Sequence, residues 1–447
     1  LFLFMANMAW NSSMNTSEVR KMLVDKNPDG EYKIPFIVVA DAYQSETVQF
    51  ADLILPDTTY LERHDVMSML DRPISEFEGP VDSVRTPILP PKGESKPFQE
   101  VIIELGSRLG LPAFVNKKGE RKYKDYPDFI INYETEPGSG IGFLAGWRGK
   151  GGEKFMAGEP NPRQWEMYAK NNNHYRHDLP RSYQYMRNWN EGYLQWAEHH
   201  RLIKQSRPVL CHLYSEVLQK FCLAAEGKRE GRQPPDHLRG RIKDHFNPLP
   251  FYSEPLEQQL IDTREYPLNA ITQRPMAMYH SWDSQNAWLR QIHGYNTLFM
   301  HPSVGSDGGF ADGDWVWAES PTGKIRCLAS FSESVEPGTV WTWNAIGKSS
   351  GAWGLSENAP ESQKGFLLNH LIREELPSHD AGDHLSNSDP VTGQAAWYDL
   401  RVKVSKADAP DDIGESSPQF PAMKPLPGMN VFTAKVRKFF AGNGEAK

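Results

Sequence analysis

The sequence predicts a mixed fold, α/β plus β: an α/β domain, then a partly helical and irregular middle segment, then a β-barrel. Three observations carry that prediction. Strand-like and helix-like segments alternate within the first 111 residues, the pattern of a doubly wound sheet. The next stretch loses this rhythm and is rich in Gly, Pro, Asn, Trp, Tyr and Arg. From Tyr266 onward, short strands recur between turn signals, as in a closed or partly closed barrel.

The elements follow in order. LFLFM (1–5) reads as the middle of a buried strand that runs into a polar loop at Asn7. EVRKMLVD (18–25) has helical spacing. IPFIVVADAY (34–43) is a near-continuous β-branched run, typical of a parallel strand buried on both faces. SETVQFA (45–51) reads as a short helix with Ser45 as N-cap and Glu46 and Thr47 in its first turn. DLILP (52–56) is the next strand, a short buried strand or strand end stopped by Pro56. KPFQEVIIELGSRLGL (96–111) is a helix with a glycine stop at Gly110.

In the middle segment, YLQWAEHHRLIKQ (193–205) and HLYSEVLQKFCLAAEGK (212–228) show helical spacing. The barrel strands are LNAIT (268–272), GDWVWAES (313–320), KIRCLASF (324–331), GTVWTWN (338–344) and LRVKVSK (400–406), with SDGG, ADGD and PTGK as turns. These textures place the domains at 1–111, 112–265 and 266–406, followed by a tail at 407–447. The tail carries a basic KVRKFF (435–440) and serves either as a surface extension or as a docking segment for a partner subunit.

Bulk properties narrow the function. The 447 residues suggest two or three domains, and 39 % are apolar, enough for ordinary cores. With 57 acidic and 49 basic side chains the net charge is −8, which argues against general nucleic-acid binding. Cys211, Cys222 and Cys327 form no C-x-x-C pair, so no zinc site or disulfide framework is indicated, and a reducing compartment is expected. No run of about 18 apolar residues is present to span a bilayer. The first residues lack an initiating Met and a basic n-region, so the expectation is the C-terminal part of a longer polypeptide rather than a signal peptide.

The polar residues concentrate after strands. In open α/β sheets ligands bind just beyond the carboxyl ends of strands. The loops there carry Asn7 and Asn11, Asp41, Glu46 and Thr47, then the rim of LPDTTYLERHD (55–65). An Asp can accept from ribose hydroxyls or from the N–H edge of guanine, helix N-termini hold phosphate, and Arg63 suits a pyrophosphate. Alternatively, Asp41 and Thr47 only cap a helix. No G-x-G-x-x-G or Walker loop is present.

TQRPMAMYHSWDSQN (272–286) packs Thr272, Arg274, His280, Ser281, Asp283 and Gln285 into one loop, suited to a heteroatom-rich ligand or simply solvated. A Ser/His/Asp hydrolase is disfavoured because Ser281 lies outside any G-x-S-x-G elbow and its neighbour His280 is badly placed for a triad. His199–His200 diverge on a helix, His280, His293 and His301 are scattered, and no H-E-x-x-H occurs. Neither a metal ligand nor a catalytic residue is assigned.

Taken together, IPFIVVADAYQSETVQFADLILPDTTYLERHD, PLNAITQRPMAMYHS, GFADGDWVWAESPTGKI, EPGTVW, FLLNHLI and SDPVTGQAAWYDLRVKV resemble, in order and spacing, the molybdopterin oxidoreductases of the dimethyl-sulfoxide-reductase superfamily. The resemblance implies a catalytic subunit holding molybdenum or tungsten between two molybdopterin guanine dinucleotides, and a six-stranded barrel of the double-psi type. It places Asn7 and Asn11 in the loop facing one dinucleotide, Ala40 and Asp41 at the guanosine and Arg63 near the pyrophosphate, with Thr47 also among the cofactor-binding residues. Thr272, Arg274, His280 and Ser281 would cradle the other pterin, with Asn369 and the Gly393–Tyr398 stretch, Gln394 included, completing the contact.

Two departures from the family pattern are His64-Asp65 after the E-x motif and Pro97-Phe98 where an Asp is common. The family's N-terminal half, which carries a four-iron four-sulfur cluster and the metal ligand, has no counterpart in these residues, so this chain alone is not expected to turn over. MANMAWNSSMNT, MAMYHSWDSQNAWLRQIHGYN and NAIGKSSGAWGL further resemble large subunits that oxidise sulfite and pass electrons to quinone. That implies a small sulfur oxyanion substrate, a ferredoxin-like iron–sulfur partner and a quinone-reactive membrane anchor. The expected location is the cytoplasmic side of the inner membrane, with the periplasm as alternative. A polysulfide, thiosulfate or tetrathionate reductase, or a relative that has lost the cofactor, remain alternatives.

Overall fold

The computed structural model describes residues 1–68, 81–133, 144, 146–152, 159–176, 187–188, 195–196, 198–201, 209–210, 218, 222–223, 225–227, 235–247, 249, 252, 254–282, 286, 288–293, 296–344, 346, 352, 365–376, 385–388, 395 and 400–408. Its contacts divide the chain into two units, one of Leu1–Leu55 with Phe251–Lys447 and the other of Pro56–Pro250. The segment 1–111 read from sequence texture is therefore shared between both units.

The first unit begins with strand β1 (Phe2–Phe4), helix α1 (Thr16–Val24), strand β2 (Val38–Asp41) and strand β3 (Leu53–Pro56). β1 and β2 are parallel, with Leu3 opposite Val39, and β2 lies between β1 and β3. Val39 and Ala40 are buried, as a β-branched parallel run requires. α1 closes one face of the sheet: Val19, Leu23 and Val24 pack on Ala9, Ile37, Val39 and Phe50.

Three local expectations change. LFLFM forms β1, but Leu1 (52 % exposed) and Phe2 (39 %) lie at the surface rather than in the middle of a buried strand. SETVQFA forms a short 3-10 helix, Glu46–Phe50, and Ser45 makes no side-chain cap; its hydroxyl donates to Asp41 Oδ2 instead (3.0 Å). DLILP is a strand, but it sits at the sheet's edge with Ile54 45 % exposed, which is where a strand tolerates a terminal proline.

The second unit holds strands β4 (Asp65–Ser68) and β5 (Val81–Arg85), helices α2 (Phe98–Arg108), α3 (Tyr126–Asn132) and α4 (Gln164–Lys170), and strand β6 (His174–Arg176). Two-residue strands β7 (Arg187–Asn188) and β8 (Val209–Leu210) pair, and helix α5 spans Asp236–His245. β4, β5 and β6 make an antiparallel sheet that the sequence pattern does not announce. Its core is Val84, Ile130, Leu144 and Tyr168. α2 ends where expected: Gly110 adopts φ +66°, a left-handed conformation that glycine reaches without steric cost. The helical stretches read at 193–205 and 212–228 fall largely outside the described residues.

Helix α6 (Leu256–Leu260) returns the chain to the first unit. β9 (Leu268–Gln273), β10 (Leu298–Met300), β11 (Trp315–Ser320), β12 (Gly323–Phe331), β13 (Thr339–Trp343) and β16 (Arg401–Lys406) form a closed six-stranded barrel in the order β10-β12-β11-β16-β9-β13. Helix α7 (Pro302–Gly308) follows β10, and a two-stranded ladder, β14 (Glu375–Leu376) with β15 (Leu385–Ser386), precedes β16.

β11 alternates half-buried and buried residues, as a barrel wall must. Val316, Ala318, Ile325, Cys327, Val340 and Val402 fill the interior. The turn Leu368–His370 sits against it, with Phe366, Leu368, Leu371 and Ile372 in the same core. Burial raises the Cys327 thiol far above its ordinary range, so it is a packing residue rather than a nucleophile. Among the described residues no helix is long and apolar enough to cross a membrane.

Candidate functional site

Within the first unit, the carboxyl ends of β1, β9 and β13 open on one cavity of about 550 Å³. The loop after β1 contributes Met5, Asn7, Asn11 and Ser12. The end of β9 and its following loop contribute Thr272, Arg274, Tyr279, His280, Ser281 and Trp282, and Asn344 follows β13. β9 and β13 are parallel and in register to Gln273 and Trp343, so their following residues emerge on the same side. A volume of this size and a wall of amides, hydroxyls, one guanidinium and aromatic rings suit a small heteroatom-rich ligand.

Asn7 ties the walls together. Its Nδ2 donates to Glu46 Oε2 (2.8 Å) and to Ser281 Oγ (3.0 Å). Its Oδ1 accepts from the Thr47 N–H (3.2 Å) and hydroxyl (2.9 Å). The Thr47 hydroxyl also accepts from the Ala9 N–H (3.0 Å). Asn7, Glu46, Thr47 and Ser281 are all buried. The hydrogen bonds of Asn7 and Thr47 run to other protein groups, so Asn7 lines the cavity with its side chain already engaged and Thr47 supports it from behind the wall.

Asn11 and Asn344 differ from Asn7. Each has a buried Oδ1 with no hydrogen-bond partner among the described residues, and each side chain lines the cavity. An unpaired buried acceptor costs about 1–3 kcal/mol unless something donates to it. These two carboxamides are therefore among the lining side chains with unused hydrogen-bonding capacity. Sequence reasoning does not single out Asn344: it closes the strand read at 338–344 and opens NAIGKSSGAWGL, but nothing local marks its side chain as a binding group.

The other expected residues take definite places. Ala40 and Asp41 end β2 and are buried; Asp41 accepts from the Tyr43 N–H (3.3 Å) and from Ser45, closing its own loop. Neither lines the cavity. Thr272 and Arg274 line it, with Thr272 half-buried and Arg274 exposed. His280 lines it in a left-handed conformation, φ 51°, with its ring edge-on to Tyr279 (4.7 Å). Burial and the neighbouring Arg274 charge lower its pKa, favouring a neutral imidazole. Asn369 is buried behind the wall and hydrogen-bonds the loop that bears Asn11. Gln394, Asp283 and Gln285 lie outside the described residues.

Arg63 belongs to the second unit, and its guanidinium is turned inward. Nη1 donates to Asp57 Oδ2 (2.9 Å) and to the Thr58 carbonyl (3.3 Å), and Nε lies 3.5 Å from Asp65 Oδ2. Asp57 Oδ1 accepts from the Phe98 N–H (2.9 Å), the first residue of α2. Glu62 accepts from the Thr59 N–H and hydroxyl, both at 2.7 Å. The rim that looked like a display of polar groups thus satisfies much of its polarity internally.

His370 lies beneath the loop 10–15, with its ring edge-on to Trp10 at 5.5 Å. Burial, then the nearby Arg20 charge, lowers its pKa from 6.5 to about 3. The folded state therefore holds it neutral while the unfolded chain binds a proton, so stability is lost as pH falls from 6.5 towards 3. His370→Phe is expected to flatten the dependence of the denaturation midpoint on pH across that window. An unchanged slope would show that other groups govern acid unfolding.

The geometry invites comparison with known proteins. Residues 2–108 match the model of the molybdopterin oxidoreductase family, and residues 268–382 match the molydopterin dinucleotide binding domain. Over 442 residues, 99 % of the chain, it is 71 % identical to a sulfite dehydrogenase subunit of Allochromatium vinosum, covering 46 % of that protein. It is 24 % identical to the thiosulfate reductase molybdopterin-containing subunit of Salmonella typhimurium, over 72 % of this chain and 35 % of the relative. The solved structure of acetylene hydratase from Pelobacter acetylenicus shares the fold, with a TM-score of 0.51 at 22 % identity over 91 % of this chain and 44 % of that one. The chain spans less than half the length of these relatives.

Proposed function

The chain belongs to the molybdopterin oxidoreductase family, and on that premise we propose that it forms the dinucleotide-holding part of a catalytic subunit that oxidises sulfite. The observation that carries the reading is the cavity at the carboxyl ends of β1, β9 and β13, lined by the Asn11 and Asn344 carboxamide side chains together with Thr272 and Arg274. Amide acceptors of this kind match the N–H edges of a pterin or guanine, and Arg274 suits an anionic linkage, so the residues fit a molybdopterin guanine dinucleotide. The group itself, when bound, supplies oxygen transfer to sulfur and the two-electron chemistry.

This chain's contribution is binding and orientation. Asn11 and Asn344 would accept from the heterocycle, while Arg274 and Thr272 contact its polar periphery. Asn7, Thr47 and Asp41 hold the loops in shape. The neutral His280 offers the cavity a hydrogen-bonding group without adding a second cation beside Arg274. The reaction is sulfite plus water to sulfate, two protons and two electrons. The finer reading includes two such dinucleotides around molybdenum and a four-iron four-sulfur cluster elsewhere in a longer polypeptide. Electrons would leave through a ferredoxin-like subunit and a quinone-reactive membrane anchor, on the cytoplasmic side of the inner membrane. The β1–β3 sheet would be one edge of a doubly wound sheet and the barrel of the double-psi type. The 24 % identity to a thiosulfate reductase subunit keeps reduction of a sulfur compound as the second reading.

Metal analysis and cofactor extraction on the full-length polypeptide, expressed with its partners, test the proposal. Molybdenum with GMP at about two per metal is expected. A well-folded preparation with neither would mark a cofactor-free relative. Within that frame, Asn344→Leu is expected to lower dinucleotide retention about tenfold, the effect of roughly one lost hydrogen bond to a buried group. Asp41→Ala should lower it less, through the loop it closes. Full GMP content in Asn344→Leu would remove that residue from the site.

A further inference from the structure

Asn369 is set apart from the cavity, yet it is tied to it. It lies in the turn Leu368–His370, 1 % exposed, and does not line the wall. Its Nδ2 donates to the backbone carbonyls of Asn11 (3.2 Å) and Ser13 (2.9 Å), residues 358 and 356 positions away. The same stretch makes two more contacts with that loop. The Ile372 carbonyl accepts from the Asn15 N–H (3.0 Å), and the His370 ring meets Trp10. The stretch is itself anchored, because Phe366, Leu368, Leu371 and Ile372 are packed in the barrel core. Loop 10–15 is thus moulded against a rigid template, while the Asn11 side chain lines the cavity.

We propose that Asn369 is a positioning residue for the cavity: it fixes the backbone of loop 11–13 and so aims the Asn11 carboxamide at the ligand, without touching the ligand itself. The proposal rests on the cavity holding a dinucleotide. The physical argument is one of rigidity. A side chain that binds through one amide must be held by its own backbone, and two hydrogen bonds from a group fixed in a packed core do that. With those donors gone, the loop can shift, and the carboxamide loses its aim even though its own atoms are intact.

A double-mutant cycle in the full-length polypeptide separates this from direct contact, because Asn11→Ala removes the carboxamide but leaves the backbone carbonyl that Asn369 grips. Two quantities are read in each variant: the rate of dinucleotide release and the thermal midpoint. Asn369→Ala is expected to speed release about five- to tenfold and to lower the midpoint. In the Asn11→Ala background the same substitution should lower the midpoint equally but leave release nearly unchanged. Asn369→Ser, which keeps one donor, should fall between wild type and alanine on both readouts. Equal acceleration of release in both backgrounds would overturn the proposal and make Asn369 a direct contact. If Asn11→Ala released dinucleotide at the wild-type rate, the reading of the cavity would fail first, and the role of Asn369 with it.

Discussion

Arg63→Ala is expected to be the most destabilising single change in the second unit, costing about 3–5 kcal/mol, because it strands a buried carboxylate. The Asp57 side chain is 0 % exposed and the Arg63 side chain 5 %. Neither has water to fall back on. Asp57 also holds the first amide of α2, so the damage should travel to that helix. Native-state hydrogen exchange across Phe98–Arg108 is the suitable readout, since a chain of several domains need not unfold in one step. The α2 amides should exchange about two to three orders of magnitude faster. Pairing the change with Asp57→Asn removes the unpaired charge and should restore much of the protection. Acceleration below about tenfold in Arg63→Ala would show that the ion pair is solvated in solution and that Arg63 is free to serve a ligand.

The second large effect is expected at Asn7. In Asn7→Asp, the group that now donates to Glu46 Oε2 becomes a carboxylate at hydrogen-bond distance from another buried carboxylate. The neighbouring Arg20 charge offsets part of the repulsion, but two buried carboxylates in contact still favour keeping one proton, so the folded-state pKa rises above its unfolded value. A raised pKa gives stability that is present below the unfolded value and lost as pH rises through the folded one. The variant should therefore approach wild-type stability near pH 5 and lose about 3–4 kcal/mol by pH 8, because each tenfold gain in proton affinity is worth about 1.4 kcal/mol. Asn7→Ala should be weakened at both pH values, because the hydrogen bonds of Asn7 to Thr47 and Ser281 are lost whatever the proton count. Thermal midpoints of both variants, each against wild type at the same pH, decide the matter. A deficit in Asn7→Asp that does not vary with pH would mean that Glu46 is not held against this side chain.

Much of the fold is legible in the sequence, and the misses have physical causes. β9, β11, β12, β13 and β16 are readable because aromatic and β-branched residues alternate between turn signals. β10 is not, since three residues hold no periodicity; its partners in β12 and β13 make it a strand. The β4-β5-β6 sheet escapes because strands such as Val81–Arg85 are too polar to show a buried face. Ser45 looks like a helix cap but bonds Asp41, a choice set by the turn that brings the two together.

The site shows the same division. The sequence by itself determined where polar residues would cluster: after β1, after β2 and after β9, because strand period and turn chemistry are local properties. It also carried the order of motifs that marks the family. It did not determine which of those polar atoms would be left open. Asn7 and Asn11 have the same side chain four positions apart, yet one is saturated by Glu46, Thr47 and Ser281 while the other keeps its oxygen unpaired. Ser281 is 274 residues from Asn7, and Asn369 is 358 from Asn11. Only closure of the barrel, and the packing of its turn against the loop after β1, decides those pairings. Hydrogen bonding is satisfied by what lies within about 3 Å in space, and no local pattern in the chain encodes that distance.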